Sequence, residues 1–221
     1  MTAPGPITEL FVFDLDGTLV DSRRDIAESA NIVLESCGCA PQSEDAIGGM
    51  VGDGAAMLVA RAFDAAGCPM PPDALDRFLR VYEQRLLRST RPYEGIPALL
   101  HALGERRTLA VLTNKPLSAT RTILDGLGLI AHFGDRVMGG DGPLPRKPDP
   151  AGLLQLISTV STTPERTLMV GDSVIDLRTA KRAGTRACVA MYGYGFHGAL
   201  EDKLRPDDMT IARPLDLMTV L

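Results

Sequence analysis

The chain has little cysteine and little histidine, a deficit of positive charge, and no long apolar run. Each shortage excludes something. The four cysteines are Cys37, Cys39, Cys68 and Cys188. The first two stand one residue apart, which is not a Cys-x-x-Cys pair, and no histidine lies near them. A zinc site and a disulfide framework are set aside on that ground, and reduced, partly buried thiols are expected. His101, His132 and His197 are widely spaced and stand beside no motif, so none is given a catalytic role. The formal net charge of -5 argues against non-specific binding to nucleic acid, whose phosphates attract basic surfaces. A small anionic ligand needs only a local positive site and stays open. No stretch approaches the roughly 20 apolar residues of a membrane span, so no membrane partner is expected. The opening residues, Met1 to Pro6, lack a basic region followed by an apolar one. No secretory leader is expected, and a cytoplasmic location is.

With 45% hydrophobic residues among 221, the chain can bury a core, either as one large domain or as a core with an insertion. Ile7 to Phe13 reads as a buried strand. From Ser22, taken as an N-cap, a helix is expected to about Cys37, with Ile26, Ala27, Ala30, Val33 and Leu34 at helical spacing. Helices at Ala55–Ala66 and Asp73–Leu87 follow, so residues 22–90 read as all-helical. Beyond Pro92 the pattern changes. Helices alternate with apolar runs at Thr108–Leu112, Arg136–Met138, Leu168–Val170 and Ala187–Ala190, ahead of a last short strand at Met209–Ala212 and a last helix at Leu215–Leu221. That alternation indicates an α/β fold: a Rossmann-like parallel sheet core with helices on both faces. The core takes residues 1–21 and 91–221, and residues 22–90 form an inserted all-helical cap. The first strand must share the later sheet, because a lone strand is not stable.

Open α/β sheets bind ligands beyond the carboxyl ends of their strands. After Phe13 come Asp14 and Asp16, which start on the same face of an extended chain. Two like charges that close repel unless a cation or donors offset them. After Leu112 come Thr113, Asn114 and Lys115; after Val170 come Gly171, Asp172 and Ser173, with Asp176 further on. Lys147 stands in the loop before Pro148. Asp14, Asp16 and Asp172 offer hard oxygen ligands suited to Mg²⁺. Thr113, Asn114 and Lys147 offer donors and positive charge suited to phosphate oxygens. A carboxylate can be a nucleophile, and a second can carry protons.

Asp14-Leu15-Asp16-Gly17-Thr18, Thr113-Asn114, Lys147-Pro148 and Gly171-Asp172-Ser173-Val174-Ile175-Asp176 resemble the four motifs of the haloacid dehalogenase-like hydrolases. The resemblance covers nearly the whole chain. It implies Asp14 as nucleophile, Asp16 as general acid/base, and Thr113 and Lys147 as phosphate binders. It implies Mg²⁺ held by Asp14, the Asp16 carbonyl oxygen and Asp172, with Asp176 supporting the site. Asp16 favours phosphoryl chemistry over dehalogenation, since dehalogenase relatives lack it. No lysine precedes Lys115, which argues against the phosphonate-cleaving branch with its cap lysine. Mutases of the family usually carry Val after Asp-Gly and a cap histidine; Thr18 and Ile26 stand there instead.

The cap segment Gly49–Ala55 with Val59-Ala60-Arg61-Ala62 resembles that of bacterial phosphoglycolate phosphatases. Gly52, Asp53, Gly54 and Arg61 are accordingly candidates for cap specificity, and a plain interhelical loop is the rival reading. Arg23, Arg24 and Arg61 are candidates for holding a substrate carboxylate, with surface or salt-bridge roles as the favoured reading of each. Tyr192-Gly193-Tyr194-Gly195 follows a strand end and is a candidate to line the site, with a simple loop as the favoured reading. The expectation is a Mg²⁺-dependent phosphomonoester hydrolase working through an aspartyl-phosphate on a small phosphorylated metabolite, with 2-phosphoglycolate leading. N-acetylmuramate 6-phosphate or another sugar phosphate, and pyrophosphate, are the alternatives, ahead of a mutase or a non-catalytic binding protein. A monomer or homodimer is expected. Hinges are placed near Asp21–Ser22 and Arg91–Tyr93.

Overall fold

A computed structural model describes residues 7–196 and 202–219 of the chain. Six strands form one parallel sheet: β1 (Leu10–Phe13), β4 (Thr108–Leu112), β5 (Val137–Met138), β6 (Thr167–Gly171), β7 (Arg186–Ala190) and β8 (Met209–Ile211). Their spatial order is β5-β4-β1-β6-β7-β8, so β1 sits inside the sheet between β4 and β6. The topological switch falls beside β1, where an open α/β sheet opens its ligand crevice.

Period-2 alternation divides the sheet's side chains between two cores. Phe11, Phe13, Leu109, Val111, Leu168 and Val170 face one layer. Helices α5 (Ile96–Gly104) and α6 (Leu117–Gly126) cover it through Leu99, Leu100, Ile123 and Leu124. Leu10, Val12, Ala110, Leu112 and Met169 face the other layer, covered by α7 (Ala151–Val160) and α8 (Val174–Ala183). Both faces being buried explains the near-continuous apolar strands.

Between β2 (Val20–Asp21) and β3 (Arg91–Pro92) lie four helices: α1 (Arg23–Ser36), α2 (Glu44–Gly48), α3 (Ala55–Ala65) and α4 (Ala74–Glu83). The segment expected as an inserted cap, called the cap below, is thus built of helices. β2 and β3 pair antiparallel, Val20 with Pro92 and Asp21 with Arg91, so the outgoing and returning connections run as one ribbon. Buried Asp25, in the first turn of α1, fastens the return. Its carboxylate accepts from Ser89 N, Thr90 N and Thr90 Oγ1 at 2.8–3.0 Å.

Some expectations are corrected. Ser22 occupies the N-cap position of α1, but no side-chain cap bond forms there, because its hydroxyl is directed to Asp16 instead. The first strand starts at Leu10 rather than Ile7, and Ile7 is exposed. The terminal helix is a 3-10 turn over Pro214–Thr219. Cys39 and Cys68 are not free thiols: they form a disulfide in the cap, with Cα atoms 6.2 Å apart, between the chain after α1 and the chain after α3. The spacing along the sequence gave no sign of a pairing made by two helices packing side by side. Cys37 and Cys188 are free, and Cys188 is buried in the core. His197 lies outside the described residues.

Candidate active site

The carboxyl ends of β1, β4 and β6 deliver the predicted groups to one crevice under the cap. Asp14 follows β1 directly, and its backbone N–H donates to Val170 O at 2.9 Å, locking it beside the end of β6. Asp14, Asp16, Thr113, Asn114, Lys147, Asp172 and Asp176 are all buried. So many buried ionisable groups require mutual compensation.

Lys147 supplies part of it. Its Nζ lies 2.9 Å from Asp14 Oδ1 and 2.6 Å from Asp176 Oδ1. Burial would lower the ammonium's pKa, but Asp14 and Asp176 together hold it above the usual lysine range. Asp176 is fixed from its other oxygen: Ser173 N–H and Ser173 Oγ donate to its Oδ2 at 3.1 and 2.6 Å, forming a capping box at the start of α8. Ser173 thus orients the carboxylate that orients Lys147.

Burial pushes Asp14 up to about 6; Lys147 pulls it down, and Asp176 and Asp16 push further. Asp14 Oδ1 accepts no hydrogen bond of good geometry although it is fully enclosed. Asp172 is raised well above the ordinary carboxylate range by burial, with Asp176 and Asp14 adding repulsion. Thr18 Oγ1 and Gly195 N–H donate to its two oxygens at 3.2 and 2.7 Å. Carboxylate oxygens of Asp14, Asp172 and Asp176 come within 4.8 Å of one another. Three buried carboxylates gathered round a single ammonium present the hard donor set that a small divalent cation satisfies, so the residues fit Mg²⁺.

Gly17 makes the approach between β1 and Asp172 feasible. Its φ is +85°, and a Cβ there would lie 2.1 Å from Asp172 Oδ2.

Asp16 belongs to a different set of partners. Its Oδ1 accepts from Ser22 Oγ at 2.6 Å, and its Oδ2 pairs with Lys115 Nζ at 2.8 Å. The two aspartates spaced i, i+2 are therefore held apart by two lysines, one for each.

Thr113 Oγ1 accepts from Lys115 N–H at 3.2 Å, and its own proton has no acceptor among the described residues. Asn114, expected among the phosphate donors, has both side-chain amide hydrogens committed. They go to Gly52 O in the cap at 2.8 Å and Lys147 O in the core at 2.9 Å. Its side chain ties cap to core.

A cavity of about 580 Å³ opens over Asp14 and Asp16. The core lines it with Thr113, Asn114, Lys115 and Arg146, and the cap with Gly52, Gly54, Ile26, Leu58, Phe78, Arg80 and Tyr82. Gly52 and Gly54 reach it, with φ of +126° and +90°. Asp53 and Arg61 pair with each other at 2.5 Å, Arg61 also donating to Met50 O, and neither lines the cavity. They brace the loop that carries the two glycines. Arg23 is held by Asp21 and Arg24 by Glu28, and neither lines the cavity either.

Sequence reasoning passed over several groups here. Lys115 was visible at the end of β4 but received no role, because its partners, Asp16 and Tyr82, are far away in the chain. Tyr192 to Gly195 is more than a loop: Tyr192 Oη donates to Thr18 O, Tyr194 Oη meets Ser22 Oγ at 3.1 Å, and Gly195 holds Asp172. The repeated Tyr-Gly was the available signal, since glycine permits close approach. A Cβ at Gly193 would strike Asp172 at 2.3 Å.

The chain matches the haloacid dehalogenase-like hydrolases over residues 11–190 and belongs to that family. Among its curated relatives it is similar to the phosphoglycolate phosphatase of Rhodospirillum rubrum, 44% identical over 192 residues covering 83% of this chain and 79% of that one. The phosphoglycolate phosphatase of Aquifex aeolicus is 32% identical over 213 residues, 96% of each chain. Among solved structures, a predicted phosphoglycolate phosphatase from Haemophilus somnus superposes with a TM-score of 0.86 at 30% identity, over 96% of this chain and 97% of that one. Within its family the chain is thus phosphoglycolate phosphatase-like.

Proposed function

We propose that the chain is a Mg²⁺-dependent phosphomonoester hydrolase that works through an aspartyl-phosphate, with 2-phosphoglycolate as its substrate. The observation that carries this is the division of labour between neighbouring carboxylates: Asp14 faces Lys147 and the acidic cluster, while Asp16 faces Ser22 and Lys115.

In the first step Asp14 attacks phosphorus and the bond to the ester oxygen breaks. Protonated Asp16 gives its proton to the departing glycolate oxygen. In the second step ionised Asp16 takes a proton from water, and that water's oxygen attacks the phosphoryl group, releasing phosphate and restoring Asp14. Lys147 offsets charge on the phosphoryl oxygens, and Thr113 has a free hydroxyl proton to donate to one of them. Asp14 and Asp172 side chains with the Asp16 carbonyl would hold Mg²⁺, which supplies charge neutralisation at the transferring group. The cap closing over the cavity excludes bulk water from the first step.

Phosphoglycolate adds a carboxylate two carbons from the phosphate. Arg80 and Arg146 are among the residues lining the cavity, and Arg80 has no ion-pair or hydrogen-bond partner among the described residues. These two replace Arg23, Arg24 and Arg61 as the candidates for that carboxylate. A cytoplasmic location accords with so small and charged a metabolite. The test is a panel of phosphate monoesters, including sugar phosphates and pyrophosphate, assayed with Mg²⁺. Phosphoglycolate should give the highest kcat/KM, and Asp14→Asn should abolish turnover; full activity in that variant rejects the mechanism.

A further inference from the structure

Lys115 is a core residue whose buried ammonium is shared between core and cap. It stands just past β4, and its Nζ lies 2.8 Å from Asp16 Oδ2. The same Nζ donates to Tyr82 Oη at 2.8 Å and sits 4.5 Å from the centre of the Tyr82 ring. Tyr82 is in α4, 33 residues away, and its ring stacks on Phe78 one turn earlier at 5.6 Å. One face of the cap's last helix therefore ends on the cation that holds Asp16.

We propose that Tyr82, Lys115 and Asp16 form a latch in which seating of the cap through Tyr82 positions Lys115, and Lys115 in turn positions the Asp16 carboxylate for its proton transfers. The proposal rests on Asp16 being the proton carrier. Lys115 and Tyr82 are positioning residues in it. Two contacts and one consequence of the geometry point the same way. Ser22 already occupies Asp16 Oδ1, so Lys115 completes a two-point clamp that fixes the carboxylate plane. Lifting α4 would remove Tyr82 Oη and the ring face at once, leaving the ammonium free to swing toward other anions in the crevice. Asn114, next in sequence, ties Gly52 of the cap to the same strand end, so cap seating is registered at two consecutive residues.

A merely neutralising Lys115 would need Asp16 alone. Tyr82→Phe separates the two ideas, because it keeps the ring and its stacking and removes only the hydroxyl. The reporter is the leaving group. Glycolate must receive a proton as it departs, whereas p-nitrophenolate departs readily without one, so a misplaced Asp16 harms the first ester more. Native enzyme, Tyr82→Phe, Lys115→Met and Lys115→Arg are compared by steady-state kinetics on phosphoglycolate and by the first-turnover release of nitrophenolate from p-nitrophenyl phosphate, both with Mg²⁺. Tyr82→Phe should lower kcat on phosphoglycolate about tenfold, the worth of one hydrogen bond to a charged group, with KM changed less than about twofold. Its loss on the nitrophenyl ester should be at least about fivefold smaller. Lys115→Met should show the same imbalance more strongly, and Lys115→Arg should restore part of it.

Equal losses on both esters, losses carried by KM, or a Tyr82→Phe enzyme matching native on both would overturn the latch. Backbone amide exchange of α4 gives a readout free of turnover. It should quicken in Tyr82→Phe and Lys115→Met, and unchanged exchange in both rejects the latch. Should Lys115→Met not fold, Tyr82→Phe carries the test alone. A native enzyme that cleaves neither ester rejects the phosphatase reading, and amide exchange then decides the latch by itself.

Discussion

Lys147 Nζ bridges Asp14 and Asp176 at 2.9 and 2.6 Å, in a place where all three groups are buried. Among the described residues the ammonium is the one cation paired with Asp14, and it is itself fixed through Asp176 by the Ser173 capping box. Lys147→Met should therefore do two things. It should remove turnover, because phosphoryl charge loses its nearest offset. It should also destabilise the fold by about 3–5 kcal/mol in metal-free buffer, since two buried carboxylates would face each other uncompensated. Denaturant unfolding with EDTA present measures the second effect. A loss under about 1 kcal/mol would show the pair to be far less buried or less charged than described.

The fold and the identity of the core carboxylates were legible because strand-end position and chain order are sequence properties. Phe13-Asp14 and Val170-Gly171-Asp172 announce where a buried strand stops and a polar group begins. What was not legible depended on contacts between distant elements. The role of Asn114 is set by Gly52, 62 residues earlier. The Cys39–Cys68 pairing is set by how helices of the cap pack, which the spacing of cysteines cannot express. Arg61 could be read as an anion partner or, by preference, as a salt-bridge arginine, and its pair with Asp53 bears out the second reading. Ser22 has the composition of an N-cap, yet a charged acceptor, Asp16, outcompetes the helix N–H groups for its hydroxyl.

Asp14 gives a pH-dependent signature. Its folded pKa is raised from 3.8 to about 6, so the native state binds its proton more tightly than the unfolded chain does. Stability therefore falls as pH rises between those two values and levels off above about 6, the lost amount being about 2–3 kcal/mol. Asp14→Asn removes this loss. In EDTA the variant should be more stable than native above about pH 6, and the advantage should vanish near pH 4. Urea unfolding of both proteins at pH 4 and pH 7 checks the sign. The same variant is expected to lose turnover, so stability and activity should move in opposite directions.

Divalent metal should reverse that penalty. A cation bound among Asp14 and Asp172 stabilises only the folded state, by about 2.7 kcal/mol at a hundredfold excess over its dissociation constant. Thermal unfolding should shift upward with Mg²⁺ and return with EDTA. Asp172→Asn should lose most of the shift while keeping its fold, because the amide oxygen can still accept from Gly195 N–H while the amide NH2 faces the Thr18 hydroxyl, which can accept in its turn. An undiminished shift in that variant would place the metal elsewhere.

Arg80 tests substrate choice apart from chemistry. It lines the cavity from α4 without an ion-pair partner among the described residues, while Arg146 approaches from the core with only Gly140 O bound, at 2.5 Å. A carboxylate entering with the phosphate seated at Asp14 would lie in the cavity that these two arginines line from cap and core. Neither touches the reacting atoms, so their loss should appear as weaker binding. Arg80→Ala should raise KM for phosphoglycolate about tenfold, in keeping with one charge-assisted hydrogen bond, and leave kcat within about twofold. Ethyl phosphate has the same carbon count without the carboxylate, and its KM should hardly move in the variant. A KM that rises equally for both esters would mean that Arg80 attracts the phosphate dianion in general. An unchanged KM for phosphoglycolate would leave Arg146 as the carboxylate partner, testable by the same pair of esters with Arg146→Ala.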